Sequence, residues 1–149
     1  MANKFRLKEK SIAIDKAVRD MVKIAAKDAE VFFQKSFSNE GFTDERLEHW
    51  KPRKGKFNSL GAKAIGKKTL TKTGALRKSI MFKMYNGYSA IIYSNLPYSA
   101  IHNEGLDGLA WGKHLFKMPK RKFIGNSKTL EKRTAAKFRA KIVTAFKNG

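Results

Sequence analysis

The stretch Ser79-Ile80-Met81-Phe82-Lys83-Met84-Tyr85-Asn86-Gly87-Tyr88-Ser89-Ala90-Ile91-Ile92-Tyr93-Ser94 decides which fold class the chain can adopt. Its centre is Asn86-Gly87, the pair that best tolerates the positive dihedrals of a two-residue hairpin turn. Segments Ser79 to Tyr85 and Tyr88 to Ser94 therefore read as two antiparallel strands, the clearest sheet signal in the sequence.

Helical patterns lie on both sides of this hairpin. From Ser11 to about Phe37, apolar residues recur at Ile14, Ala17, Val18, Met21, Val22, Ala25, Ala29, Phe32 and Phe33, the three-and-four spacing of a helix with one buried stripe. Asp15, Lys16, Arg19, Asp20, Lys23, Lys27 and Asp28 form its solvated face, and Ser38-Asn39-Glu40-Gly41 supplies a stop. Near the other end, Asn126 or Ser127 caps a helix running to about Phe146, with Leu130, Ala135, Phe138, Ile142, Val143 and Phe146 as its stripe. Helices bracketing a small antiparallel sheet predict an α+β fold. No internal repeat, heptad pattern or second core divides the chain, so residues 1–149 are expected to form a single domain.

The intervening segments are less regular. Lys51 to Lys68 is rich in Lys and Gly, lacks periodicity, and offers only Phe57, Leu60 and Ile65 as apolar anchors; it is expected to be a long mobile loop. A short turn or helix is expected around Thr73 to Arg77, and a helical turn from Pro97 to Asn103. A glycine-punctuated loop from Gly105 to Gly112 and an extended piece from Leu115 to Ile124 should follow.

Composition narrows the class further. With 42% hydrophobic and 11% aromatic residues the chain can bury enough apolar surface to fold despite being 30% charged. The absence of cysteine excludes disulfides, thiolate-ligated zinc and a cysteine nucleophile, and fits a reducing cytoplasm. No apolar run approaches the ~18 residues of a membrane span, and no apolar stretch follows the basic residues of Met1 to Lys10. Neither a membrane partner nor a signal peptide is expected.

The formal net charge of +21 is unevenly placed. Residues 1–48 hold ten basic and nine acidic side chains, whereas residues 49–149 hold 23 basic and three acidic ones. Between Glu48 and Glu104 no acid accompanies Lys51, Arg53, Lys54, Lys56, Lys63, Lys67, Lys68, Lys72, Arg77, Lys78 and Lys83. Such a segment should attract an anionic partner, either nucleic acid or an acidic protein face, with Lys51, Arg53, Lys54, Lys56, Lys63, Lys67 and Lys68 as the leading contacts.

Motifs for chemistry are missing. There is no Gly-x-Ser-x-Gly, no His-Glu-x-x-His, and Gly66-Lys67-Lys68-Thr69 does not complete a phosphate-binding loop. His102, Glu104, Asp107 and His114 are of types that suit a metal or an acid–base pair, but no regularly spaced second ligand set accompanies them. His102 is better read as holding its loop to a backbone carbonyl. The expectation is therefore no catalytic residue, no metal and no cofactor.

Three segments stand out together: Leu70-Thr71-Lys72-Thr73-Gly74-Ala75-Leu76-Arg77-Lys78-Ser79-Ile80, Pro97-Tyr98-Ser99-Ala100-Ile101-His102-Asn103-Glu104-Gly105, and Met118-Pro119-Lys120-Arg121-Lys122-Phe123-Ile124-Gly125. In this order and spacing they resemble the phage virion morphogenesis family, the tail-completion proteins of contractile-tailed phages. The resemblance runs from about Phe42 to Gly125 and includes Trp50; Ser99 departs from the small apolar residue usual there, and the basic 51–68 stretch is not explained by it. The residues carrying it are Thr73, Gly74, Leu76, Ser79, Tyr98, His102, Gly105, Pro119, Arg121, Phe123 and Gly125.

Each has a structural reading of its own. Thr73-Gly74 suits a tight lead into a short helix, Leu76 and Ile80 should bury while Arg77 and Lys78 stay outside, and Ser79 can satisfy a free backbone group. Tyr98 and Ile101 read as anchors of a loop that Gly105 ends; Pro119 fixes an extended lead to Phe123, which inserts into the core or a neighbour. Lys120, Arg121 and Lys122 project charge, with Arg121 either bridging a subunit boundary or simply solvated.

What the resemblance implies is a structural virion protein that completes the tail or joins it to the head. It would act as a ring homo-oligomer beside other tail and connector proteins, located at the head–tail junction or tail end and in the host cytoplasm during assembly. Phe57, Trp111, Leu115 and Phe116 would be contact anchors, and each reads equally well as a loop residue folded onto its own domain. The alternative is a nucleic-acid-binding module without sequence preference, motivated by the basic segment with Phe57, Tyr85, Tyr88 and Tyr93. The two overlap, because DNA passing through a head–tail channel would meet a basic lumen.

Overall fold

The computed structural model of the protein describes residues 7–52, 68–110 and 112–148. In order they form α1 (Leu7–Asn39), β1 (Gly41–Thr43), β2 (Leu47–His49), α2 (Ala75–Lys78), β3 (Ile80–Tyr85), β4 (Ser89–Ser94), α3 (Ser99–Glu104), β5 (Asp107–Ala110), β6 (His114–Lys117) and α4 (Lys128–Asn148). The fold is α+β, with long helices at both ends. The expected single small sheet is instead three separate two-stranded antiparallel hairpins: β1–β2, β3–β4 and β5–β6.

α1 extends past both ends read from the sequence, to 33 residues and about 50 Å. Its buried side chains are Ala17, Met21, Ala26, Ala29, Phe33, Ser36 and Phe37, a stripe at helical spacing. The helix stops at Glu40, which takes a left-handed φ of 48°, so the stop falls one residue before the glycine. Two bonds hold the reversal: the Glu40 carboxylate accepts the Thr69 N–H at 2.6 Å, and its carbonyl accepts the Trp50 N–H at 2.7 Å. Gly41 is required for close approach instead, because a Cβ there would lie 2.5 Å from the Glu48 carbonyl oxygen across the hairpin.

The core is built on α1. Ala29, Phe33 and Phe37 meet Phe42, Trp50, Leu76, Ile80 and Phe123 in one buried cluster. Phe37 is its centre: the Trp50 ring stands edge-on at 5.4 Å and the Phe123 ring lies at 5.2 Å. Each buried aromatic contributes roughly 1.5–3 kcal/mol through the apolar area it hides.

In β3–β4 the register runs from Ile80↔Ser94 to Tyr85↔Ser89, so the turn has three residues, Asn86 to Tyr88, rather than two. Asn86 and Gly87 hold φ of 42° and 79°, and the Tyr88 N–H still closes onto the Tyr85 carbonyl at 3.2 Å. The turn docks on α1, where the Tyr88 hydroxyl donates to Asp15 and the Arg19 guanidinium lies 5.1 Å from the Tyr88 ring centre. α4 begins under a cap: the Ser127 hydroxyl accepts the Leu130 N–H at 3.2 Å and donates to the Thr43 carbonyl at 2.8 Å. Asp44 adds a second tie, its carboxylate accepting the Lys128 N–H at 2.7 Å. α4 packs along α1, with Asp28 paired to both Arg133 and Lys137, yet Val143 and Phe146 at its far end are each 51% exposed.

The β5–β6 hairpin occupies what reads as a glycine loop in the sequence. Gly108 pairs with Phe116 and lies beneath its ring, which stands where a Cβ on Gly108 would be, at 2.6 Å. The segment from Met118 to Ser127 that follows is not strand; it runs irregularly across the core to the α4 cap.

Candidate functional site

The first and third marked segments reach the core through Leu76, Ile80 and Phe123, and the second is tied to the third through Asn103. In the first, Thr73 Oγ1 accepts the Ala75 N–H at 3.3 Å and Gly74 takes φ 71°, which turns the chain into α2. Ser79 closes that helix: its N–H donates to the Ala75 carbonyl at 2.9 Å, and its buried hydroxyl bonds the Leu76 carbonyl and the Ser94 hydroxyl, both at 2.7 Å. Arg77 and Lys78 stay exposed.

The second and third segments form one unit. α3 ends at Gly105 (φ 71°), and a Cβ there would come within 2.8 Å of the Lys120 nitrogen, so glycine is needed both for the turn and for the approach. The His102 carbonyl accepts the Arg121 N–H at 2.8 Å, while the half-buried His102 ring stands edge-on to Tyr98 at 5.9 Å. Asn103, which the sequence reading did not single out, does the most: its Oδ1 accepts the N–H groups of Phe123 and Ile124 at 2.8 and 3.0 Å. No sequence signal marks it, because its partners lie some twenty residues downstream.

Two expectations are corrected. Arg121 is not a solvated charge: only 5% of it is exposed, and its Nε and Nη2 donate to the Lys51 carbonyl at 3.3 and 3.2 Å. A planar guanidinium suits that two-pronged contact. Tyr98, expected to anchor a loop that packs back on the sheet, is 39% exposed and stands edge-on to His102. Pro119 is exposed, Phe123 is fully buried, and Gly125 ends the segment before the α4 cap.

Of the basic residues, Arg53, Lys54, Lys56, Lys63 and Lys67 lie outside the described residues, as do Phe57 and Trp111 and all but the ends of the 51–68 stretch. Lys51 is exposed and lends its carbonyl to Arg121; Lys68 donates to the Ser38 carbonyl at 3.0 Å. Lys35, Arg77 and Lys78 line one hollow with Gln34 and Ser38 at the end of α1, and none forms an ion pair among the described residues. Lys35 was not marked from the sequence, since α1 as a whole is nearly neutral.

The carboxylates with displaced pKa values are all displaced downward. Lys120 and then Asn103 hold Glu104 below its ordinary range; the Thr69 N–H does the same for Glu40, Tyr88 and Arg19 for Asp15, and Lys137 for Asp28. These groups are held as charges, the opposite of what a general acid near neutrality requires. Among the described residues no group of three or more His, Asp or Glu could hold a metal ion, and no helix is long and apolar enough to cross a membrane.

One surface stands apart from this internal bracing. Leu109 and Leu115 are direct cross-strand partners in β5–β6 and are 63% and 74% exposed, with Leu106 and Phe116 also open to solvent.

The marked residues cap, clamp and fill, and so hold a shape. The chain belongs to the phage virion morphogenesis family, which it matches over residues 39–142. It is thus a virion-associated morphogenesis protein of a bacteriophage, in a structural family. Comparison with curated proteins and with solved structures gives no match.

Proposed function

We propose that this protein completes the head-proximal end of a phage tail, or joins tail to head, by assembling with copies of itself into a closed ring. The observation that carries the reading is the Leu109–Leu115 pair, cross-strand partners 63% and 74% exposed on one hairpin and more open than Val143 and Phe146 at the end of α4. A ring repeats one heterologous contact around its axis, so a single such projection per subunit suffices. Native mass spectrometry with electron microscopy of the purified protein should give one closed oligomer, and particles lacking the gene product should be tailless or unjoined. A protein that stays monomeric at all concentrations and is absent from purified particles would sink the reading.

A second reading, contact with DNA by charge alone, is favoured by the convergence of Lys35, Arg77 and Lys78 without an ion pair among the described residues, in a chain of net charge +21. Duplex binding should then be indifferent to sequence and fall with salt by roughly 0.9 log unit per decade for each phosphate contact. Binding that persists at high salt, or that is unchanged when Lys35, Arg77 and Lys78 become serine, would argue for an acidic protein face instead.

A further inference from the structure

The chain carries a second unpartnered apolar surface, well separated in sequence from the β5–β6 hairpin. It is a groove of about 610 Å³ where α1, β4 and α4 meet, floored by Val22, Ala25, Ala90, Ile92, Ala135 and Phe138. Small alanines on both helices keep the walls low, so the apolar floor remains open instead of closing on itself. Its rim bears Glu131, which forms no ion pair among the described residues.

The hairpin supplies the complementary shape and charge. Side chains two apart on a strand share a face, so Leu115 and Lys117 point the same way, with Leu109 opposite Leu115. Lys117 and Lys113 are exposed and unpaired among the described residues. Two copies of so basic a chain repel each other except where one presents an unneutralised acid, and Glu131 is the one charged residue among the described residues that line the groove, whereas Asp15, Asp28 and Glu30 on α1 are already paired within the chain.

We propose that the Leu109–Leu115 face of β5–β6 seats in the α1–β4–α4 groove of the next copy, with Lys117 meeting Glu131. The proposal rests on the ring reading above and names its contact. Knob and groove are different surfaces, so each copy offers one of each, and the contact propagates head to tail until it closes. Leucine side chains against alanine and phenylalanine form a dry centre; the Lys117–Glu131 pair at its edge fixes register more than it adds affinity.

The chain has no native cysteine, so introduced ones report on this contact alone. Leu115→Cys and Ala135→Cys, placed in separate molecules and mixed under mild oxidation, should form a disulfide-linked dimer, and the doubly substituted chain should give a ladder ending at the native oligomer number. Leu115→Cys with Ala140→Cys, a position exposed on α4 outside the groove, should not. Lys117→Glu should weaken assembly several-fold, and adding Glu131→Lys should restore it. If native mass shows a closed oligomer but the Leu115–Ala135 pair does not cross-link, this contact is overturned and the ring stands. A chain that never oligomerises overturns both, and particles in which Ala135→Cys links only to a different virion protein assign the groove to that protein instead.

Discussion

Asn103 and Ile124 are bonded in both directions: the side-chain Nδ2 donates to the Ile124 carbonyl at 3.1 Å while Oδ1 accepts the Ile124 N–H at 3.0 Å. The amide thus takes the place of a neighbouring strand for a segment that has none, and the Phe123 N–H shares the same oxygen. Burying Phe123 depends on this, because a backbone lying over a core must have its polar groups paired.

Asn103→Ala should therefore destabilise the fold by about 2–4 kcal/mol, since it strands two N–H groups and a carbonyl. Asn103→Asp keeps the acceptor and should fall between alanine and the native residue. Urea unfolding followed by fluorescence separates the three; equal stability of the alanine variant and the native protein would refute the clamp.

Trp50 makes the companion contact, its indole N–H donating to the Lys122 carbonyl at 2.7 Å. Trp50→Phe preserves most of the edge-on packing against Phe37 but removes that donor, and a loss of about 1–3 kcal/mol is expected. No change in the urea midpoint would mean that the Lys122 carbonyl finds another partner at no cost.

Gly105→Ala places a side chain in the left-handed region and against the Lys120 backbone at once. A cost of about 1–3 kcal/mol is expected. Its signature should be local: amide exchange should rise in residues 102–106 and 118–124 before it rises in α1. Uniform acceleration along the chain would count against a local hinge.

The phase of α1 was legible because Ala17, Met21, Ala29 and Phe33 repeat at helical spacing, and the Ser127 cap because serine stands just ahead of an apolar periodic run. The β5–β6 hairpin was not. Its leucines face solvent, and Gly108 under Phe116 reads as a loop residue, so the in–out alternation that reveals a half-buried strand is absent. The solvated reading of Arg121 fails for a different reason: its acceptor, the Lys51 carbonyl, lies 70 residues away, and no local pattern tells a buried arginine from a solvated one. The motif residues were found because a family pattern marks them; that the side chains of Thr73, Ser79 and Arg121 hold backbone while Leu76 and Phe123 fill the core is seen only in the fold.

Asp28 links pH to the pairing of the two long helices. Lys137 first, with Arg133 beside it, lowers its pKa from the ordinary 3.8, so the folded state resists protonation where the unfolded chain does not. The contribution is complete above pH 3.8 and is lost as the pH falls through the lower folded value. Asp28→Asn should flatten the acid limb of the stability curve by at most about 1.4 kcal/mol per pH unit. Parallel limbs for the two proteins would show that the pair adds nothing.

The family match begins at residue 39, the last residue of α1, whereas the side chains around which the core closes, Phe33 and Phe37, lie before it. The recognisable unit and the foldable unit are therefore different lengths of chain. A fragment cut at the boundaries of the match would present Phe42, Trp50, Ile80 and Phe123 as a raw cleft, prone to clump, and α1 supplied separately as a peptide would be its natural plug. The protein is in this sense a two-piece object joined by one peptide bond at Ser38–Asn39, and its division offers a route to controlling by reconstitution when a virion morphogenesis protein becomes competent.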